Sequence, residues 1–255
     1  MKMRKAKKLL ILFPLLIGSF LAAPALSEEQ TTQQLDPHDI NDVTYVSAGL
    51  STINAGNLNS TLTANNYLAF PGSSWSFGTG TRNINGRIMM GSEGNFTLDN
   101  KNFNGNGFNS YLSSTFNMIL NAGYVVYSTE NIKIYPFAGA GIGRVNMDII
   151  KNEKTPTFNE ILAKPERGVP VSNTSAVVQV GVAADYLVPI GKSVPQKGGI
   201  IIGLKAGYVF SVYSTGFQLK GENLTGAPDI NNNGAYIKLY VGYTAGILGA
   251  LGDLF

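Results

Sequence analysis

The sequence predicts an all-β fold, an eight-stranded antiparallel up-and-down transmembrane β-barrel with short helices in two external loops. Three observations predict it. The first is composition: 255 residues include 30 glycines, 13 phenylalanines, 12 tyrosines and no cysteine, and only 14% are charged. That profile suits one strand-rich domain better than a soluble helical enzyme. The second is an alternation that puts large apolar residues on one face of each candidate strand and glycine or polar residues on the other. The third is the rhythm of the connections, short ones alternating with long ones.

Residues 1–27 read as a signal peptide. Lys2, Arg4, Lys5, Lys7 and Lys8 form a basic start, an apolar run follows from Leu9 to Ala23, and Ala23 and Ala25 have the small-residue spacing of a cleavage site. The run is nearer 15 residues than the roughly 20 that span a bilayer, and Pro14 interrupts it. Beyond those five cations, 14 basic residues stand against 16 acidic ones, a balance that argues against a nucleic-acid surface built on phosphate neutralisation. Residues 28–41, EEQTTQQLDPHDIN, are polar and aperiodic and read as a flexible periplasmic segment. Residues 42–255 make the barrel domain.

Strands are expected near 42–50, 74–82, 86–98, 108–127, 131–146, 173–189, 198–214 and 234–244. Phe116, Met118, Leu120, Ala122, Tyr124 and Val126 share one face, against Asn117, Ile119, Asn121 and Gly123 on the other. Val178, Val180, Val182, Ala184 and Tyr186 stand likewise against Gln179, Gly181, Ala183 and Asp185. Ile202, Leu204, Ala206, Tyr208 and Phe210 repeat the pattern, as do Ile237, Leu239, Val241 and Tyr243. A soluble sandwich would carry abundant charge on the face away from its core. Here that face is mostly small or polar, with glycine recurring and only an occasional charge, which suits the crowded interior of a narrow barrel.

Connections near 82–86, 128–131 and 191–198 are short, those near 51–73, 147–172 and 215–233 are long, and 99–107 is intermediate. Short periplasmic turns and long external loops are the outer-membrane pattern. Alternating strand direction then sets Tyr124, Tyr127, Tyr135, Phe137, Tyr186 and Tyr243 near the periplasmic interface and Trp75, Tyr111, Phe210 and Tyr213 near the outer one. Pro136 lacks a ladder donor and is expected at a strand start or a bulge.

Charges opposite the apolar face must point inward, because a basic residue facing lipid at mid-depth costs roughly 2–4 kcal/mol. This assigns Arg87, Glu93, Asp185, Lys205 and Lys238 to a lumen charge network, with Glu93 and Lys205 mid-lumen and Arg87 and Asp185 nearer the periplasm. An eight-stranded interior is filled by its own side chains, so no wide pore is expected. Two loops carry apolar stripes at helical spacing. Leu58 and Leu62 lie one turn apart in NLNSTLTANN, and Phe158, Ile161 and Leu162 lie in TPTFNEILAKPERG, where Thr155 caps, Pro156 starts and Pro165 ends the helix. The stripes are read as packing over the barrel rim, with outer-leaflet contact or partner binding as alternatives.

Chemistry-bearing motifs are sparse. The one histidine, His38, falls before the first strand, so a triad or a His-ligated zinc site at the barrel would need it brought to the wall. GAGIG at 139–143 lies inside an alternating strand with no helix behind it, and GKS at 191–193 has Tyr186 where a phosphate loop needs glycine. Asp229, Asn231, Asn233 and Gly234 match the start of a calcium loop, but Tyr240 stands at the position of its bidentate acid. Neither cofactor nor metal is expected.

The alternation over about residues 42–244, together with a terminal aromatic, Phe255, resembles the small eight-stranded outer-membrane β-barrels of the OmpA/OmpX type. The run LNSTLTANNYLAF followed by SFGTGTRNINGRIMMGSEG also resembles exported barrels that place a short helix after the first strand. AGILGALGDLF at the end departs from the pattern, since it does not alternate. The resemblance implies an outer-membrane location. The expected function is non-enzymatic, structural or surface-interacting through the long external loops, with outer-membrane lipid and an envelope or surface partner as its contacts and no nucleic acid. A small transport or ligand-binding barrel with a narrow polar lumen is one alternative, and a secreted soluble barrel binding an apolar ligand is the other.

Overall fold

The computed structural model describes residues 42–67, 69–97, 102–105, 108–151, 168–190, 199–228 and 233–244. The expected signal peptide, the segment 28–41, the expected helix with Phe158, Ile161 and Leu162, and residues 245–255 lie outside them. Eight strands form the wall: β1 (Asp42–Thr52), β2 (Ser73–Asn85), β3 (Ile88–Thr97), β4 (Phe108–Tyr124), β5 (Ile132–Lys151), β6 (Gly168–Pro189), β7 (Gly199–Leu219) and β8 (Gly234–Thr244). Each pairs antiparallel with the next. β8 pairs back onto β1, from Val43 with Thr244 to Ser51 with Tyr236, and closes the sheet. Closure removes the edges that would otherwise invite strand addition by another chain. The eight-stranded up-and-down barrel read from the sequence is the observed fold.

The two rims differ. β2 and β3 join through Gly86 and Arg87 alone, with Asn85 paired to Ile88 and Gly86 at φ +57°. A glycine at the first central position is what a two-residue turn of the II′ kind requires. At the opposite rim β4–β7, with 17 to 22 residues each, run on past their shorter neighbours. Helix α1 (Gly56–Ala64) follows β1 there and fills the space inside that taller wall. Its Leu58 and Leu62, one turn apart, bury against Phe70, Val145, Met147, Val171 and Phe217. Each leucine contributes roughly 1.5–3 kcal/mol by leaving water. Asn59 fastens the return segment, donating to the Phe70 carbonyl at 3.1 Å and accepting from the Phe70 amide at 2.8 Å. The first apolar stripe thus packs inside the rim.

Alternation sorts the wall as expected. Leu120 and Val46 are 66% and 64% exposed, and Met118, Ile142, Val182, Leu204, Ile237 and Leu239 face outward with them. Along β1–β8, the outward positions among the described residues carry charge only near the rims, at Asp42 towards one and Arg144 and Asp148 towards the other. On β5 the uncharged stretch runs from Ile132 to Ile142. At about 3.3 Å per residue and a tilt of about 40°, that stretch is about 25 Å tall, the height of a bilayer-matched band.

Tyr124, Tyr127, Tyr186 and Tyr243 are exposed at the short-turn rim, and Trp75, Phe210 and Tyr213 are exposed towards the helix-bearing rim. The side chain of Tyr111 lies outside the described residues. Tyr135 and Phe137 do not join a girdle. They are buried inside the barrel, because β5 keeps Ile132, Ile134 and Pro136 on the outward parity. Pro136 sits one residue beyond the last β4 pairing, Gly123 with Phe137, where the ladder on that side has already ended.

Candidate functional site in the barrel interior

Inward glycines admit aromatic rings from neighbouring strands. A Cβ added at Gly203 would lie 2.1 Å from the Tyr240 ring, and one at Gly80 2.5 Å from the Tyr45 hydroxyl oxygen. Gly203→Ala is expected to destabilise the barrel by about 1–3 kcal/mol through overpacking. The urea midpoint followed by fluorescence of the single tryptophan, Trp75, checks this, and an unshifted midpoint would show that the ring moves freely.

The rings so admitted serve two charged centres. In the first, nearer the short-turn rim, Arg82 and Asp185 form an ion pair of 2.5 Å. Tyr240 donates to Asp185, Tyr135 donates to it at 3.4 Å, and Arg82 donates to the hydroxyls of both tyrosines. The Arg82 guanidinium also lies 5.2 to 5.8 Å from the ring centres of Tyr45, Tyr135 and Tyr240. Stacking of this kind suits a planar, weakly hydrated cation.

Glu93 anchors the second centre. It accepts from Lys205, from Gln179 at 2.8 Å and from the Tyr45 hydroxyl at 3.2 Å. Gln179 also donates to Asn121 at 2.5 Å and accepts from Tyr236 at 3.2 Å. Lys205 lies 4.5 Å from the Phe137 ring centre. Lys238 pairs in register with Lys205 on the adjacent strand and donates to Asn95 at 2.6 Å. Tyr45, with its hydroxyl on Glu93 and its ring by Arg82, connects the two centres.

Glu93, Asp185, Lys205 and Lys238 are therefore gathered inside, and Arg87 is not. Arg87 occupies the two-residue turn beyond the end of the ladder, is exposed, and reaches the Tyr124 hydroxyl at 3.5 Å. Its place opposite Asp185 is taken by Arg82, which β2 carries inward because that strand continues to Asn85. Sequence reasoning also passed over Tyr45, Tyr135, Tyr236 and Tyr240. Their common signal is parity, since each shares a face with inward glycine or charge.

Both ends of the interior are apolar. Val43, Leu187 and Ile201 pack together at the short-turn end, and α1 with its partners fills the other. Between them is a polar cavity of about 40 Å³, lined among others by Ser76, Asn95, Thr97, Thr115, Asn117 and Lys238. That volume holds a few water-sized groups. Of the calcium-loop positions, Asp229 and Asn231 lie outside the described residues; Gly234 opens β8 and Tyr240 is engaged with Asp185. The described residues contain no group of three or more His, Cys, Asp and Glu side chains placed to hold a metal.

No family model and no curated protein matches the chain. Solved structures similar to it include Ail, the attachment invasion locus protein of Yersinia pestis, at 13% identity and a TM-score of 0.42, covering 80% of this chain and 98% of that one. Neisserial surface protein A shares 10% identity over 80% of this chain and 97% of its own, with a TM-score of 0.44. The outer membrane protease OmpT from Escherichia coli shares 11% over 80% and 96%, with a TM-score of 0.40. The strand pairing and closure described above define this chain's fold without reference to them.

Proposed function

We propose that the chain is a non-enzymatic, integral outer-membrane barrel that anchors its long connections at the cell surface. Residues 1–27 serve export, the short-turn rim faces the periplasm, and the helix-bearing rim faces outward. Outer-membrane lipid surrounds the barrel, and an envelope or surface partner meets the loops. The observation that carries this reading is the outward belt of uncharged, mostly apolar side chains, bounded by charge only near the rims. So large an apolar surface is stable against lipid and prone to association in water. An interior occupied by ion pairs and closed by apolar packing at both ends supports an anchor over a conduit.

The test is gel mobility of the mature protein from carbonate-washed envelopes, boiled against unboiled, followed by planar-bilayer recording. Resistance to the wash, a boiling-dependent mobility shift and the absence of steady conductance are expected. Steady conductance would favour the small transport barrel, and recovery in the soluble fraction would overturn the membrane assignment.

A further inference from the structure

Among the described residues, charge does not balance around Lys238. The buried cations of the two centres are Arg82, Lys205 and Lys238, and the buried carboxylates are Glu93 and Asp185. Asp185 is engaged by Arg82, and Glu93 is engaged by Lys205. Lys238 forms no ion pair among the described residues: it donates to the neutral Asn95 at 2.6 Å and lies 5.2 Å from the Tyr236 ring, feels Glu93 only at longer range, and has Lys205, which holds Glu93, directly beside it on the next strand. Like charges opposite each other in a sheet repel, and a buried charge is costly unless an opposite charge or several hydrogen bonds meet it.

The cavity beside Lys238 offers what is missing. Ser76, Thr97 and Thr115 line it. These side chains are 2%, 5% and 5% exposed, and no protein hydrogen bond is found for their hydroxyls among the described residues. Three buried hydroxyls without a protein acceptor, converging on a space that also holds an ammonium, form a set of donors. Asn117 contributes one acceptor, a buried side-chain carbonyl without a donor. A water bound alongside an ion would satisfy it.

We propose that this chamber binds a small inorganic anion of the halide class, held by Lys238 and the hydroxyls of Ser76, Thr97 and Thr115. An anion there supplies the negative charge that the two carboxylates do not, and accepts from hydroxyls that otherwise lack acceptors. The cavity of about 40 Å³ takes one such ion with about one or two waters, which excludes phosphate esters and organic acids. The inference concerns the interior alone and holds whatever surrounds the apolar belt.

Bromide is the probe. The full barrel, purified in detergent in a gluconate buffer, is titrated with sodium bromide at constant ionic strength while its thermal midpoint is followed, and crystals are soaked in the same salt. A saturable rise of the midpoint and an anomalous peak beside Lys238 are expected. Lys238→Met is expected to abolish both. Thr97→Val keeps the charge and the cavity and is expected to weaken the apparent affinity about tenfold, the effect of one lost hydrogen bond to a charged group. It carries the test should Lys238→Met fail to fold. Water alone at the site, with no anomalous peak, or a bromide response unaltered by Thr97→Val, would overturn the proposal.

Discussion

Replacing Arg82 by leucine is expected to destabilise the barrel by about 3–5 kcal/mol, because it strands a carboxylate in a water-poor interior. Arg82 and Asp185 are both buried and paired at 2.5 Å, so neither can turn to solvent when the other goes. Tyr135 and Tyr240 still donate to Asp185, but two neutral hydroxyls do not cancel a charge. The three rings stacked near the guanidinium lose their common partner as well. The double replacement Arg82→Leu with Asp185→Leu is expected to recover at least about 2 kcal/mol of the loss, since exchanging a whole buried pair for apolar side chains is often neutral. Urea unfolding of the four proteins in phospholipid vesicles closes the cycle. A single replacement costing under about 1 kcal/mol would show that water reaches Asp185. Losses that simply add would show that the pair is not coupled.

The error that put Arg87 in the network and left Arg82 out explains how far the sequence could be read. Parity was legible everywhere: Glu93, Asp185, Lys205 and Lys238 alternate against large apolar residues, and each is inside. The turn was not. Arg82-Asn83-Ile84-Asn85-Gly86 has a turn-like composition, so a loop at 82–86 was the natural reading. The chain instead keeps pairing to Asn85 with Ile88 and turns on Gly86 and Arg87 alone. A shift of a few residues in a turn does not disturb the faces, but it decides which arginine is in the ladder and which is past its end. Tyr135 and Phe137 teach the complementary lesson. Aromatic residues near a rim suggest a girdle, yet their odd positions on β5 send them inward to Asp185 and Lys205. Partners separated in sequence by 50 residues or more, as Tyr135 is from Asp185, become neighbours only when the ring closes, and no local pattern encodes that meeting.

Arginine placed on the outward face is expected to cost stability according to its depth. Leu120→Arg and Leu204→Arg, within the belt, are each expected to lose about 2–4 kcal/mol in phospholipid vesicles, and Tyr243→Arg, at the short-turn rim, about 0–1 kcal/mol. What surrounds the side chain decides the size of the loss. Leu120 and Leu204 are 66% and 44% exposed, so neither packs deeply against protein, and exchanging them removes little internal contact. Any large loss must then come from transferring a guanidinium from water into hydrocarbon. A soluble barrel makes the opposite prediction: in water an exposed leucine changed to arginine is within about 0.5 kcal/mol of neutral and improves solubility. Under conditions where urea unfolding from vesicles is reversible, the comparison is read as a midpoint shift with unchanged slope. A loss that is steep at Leu120 and Leu204 and shallow at Tyr243 requires hydrocarbon around the middle of the wall and water at its rim. Equal, small losses at all three positions require water throughout and would overturn the membrane assignment.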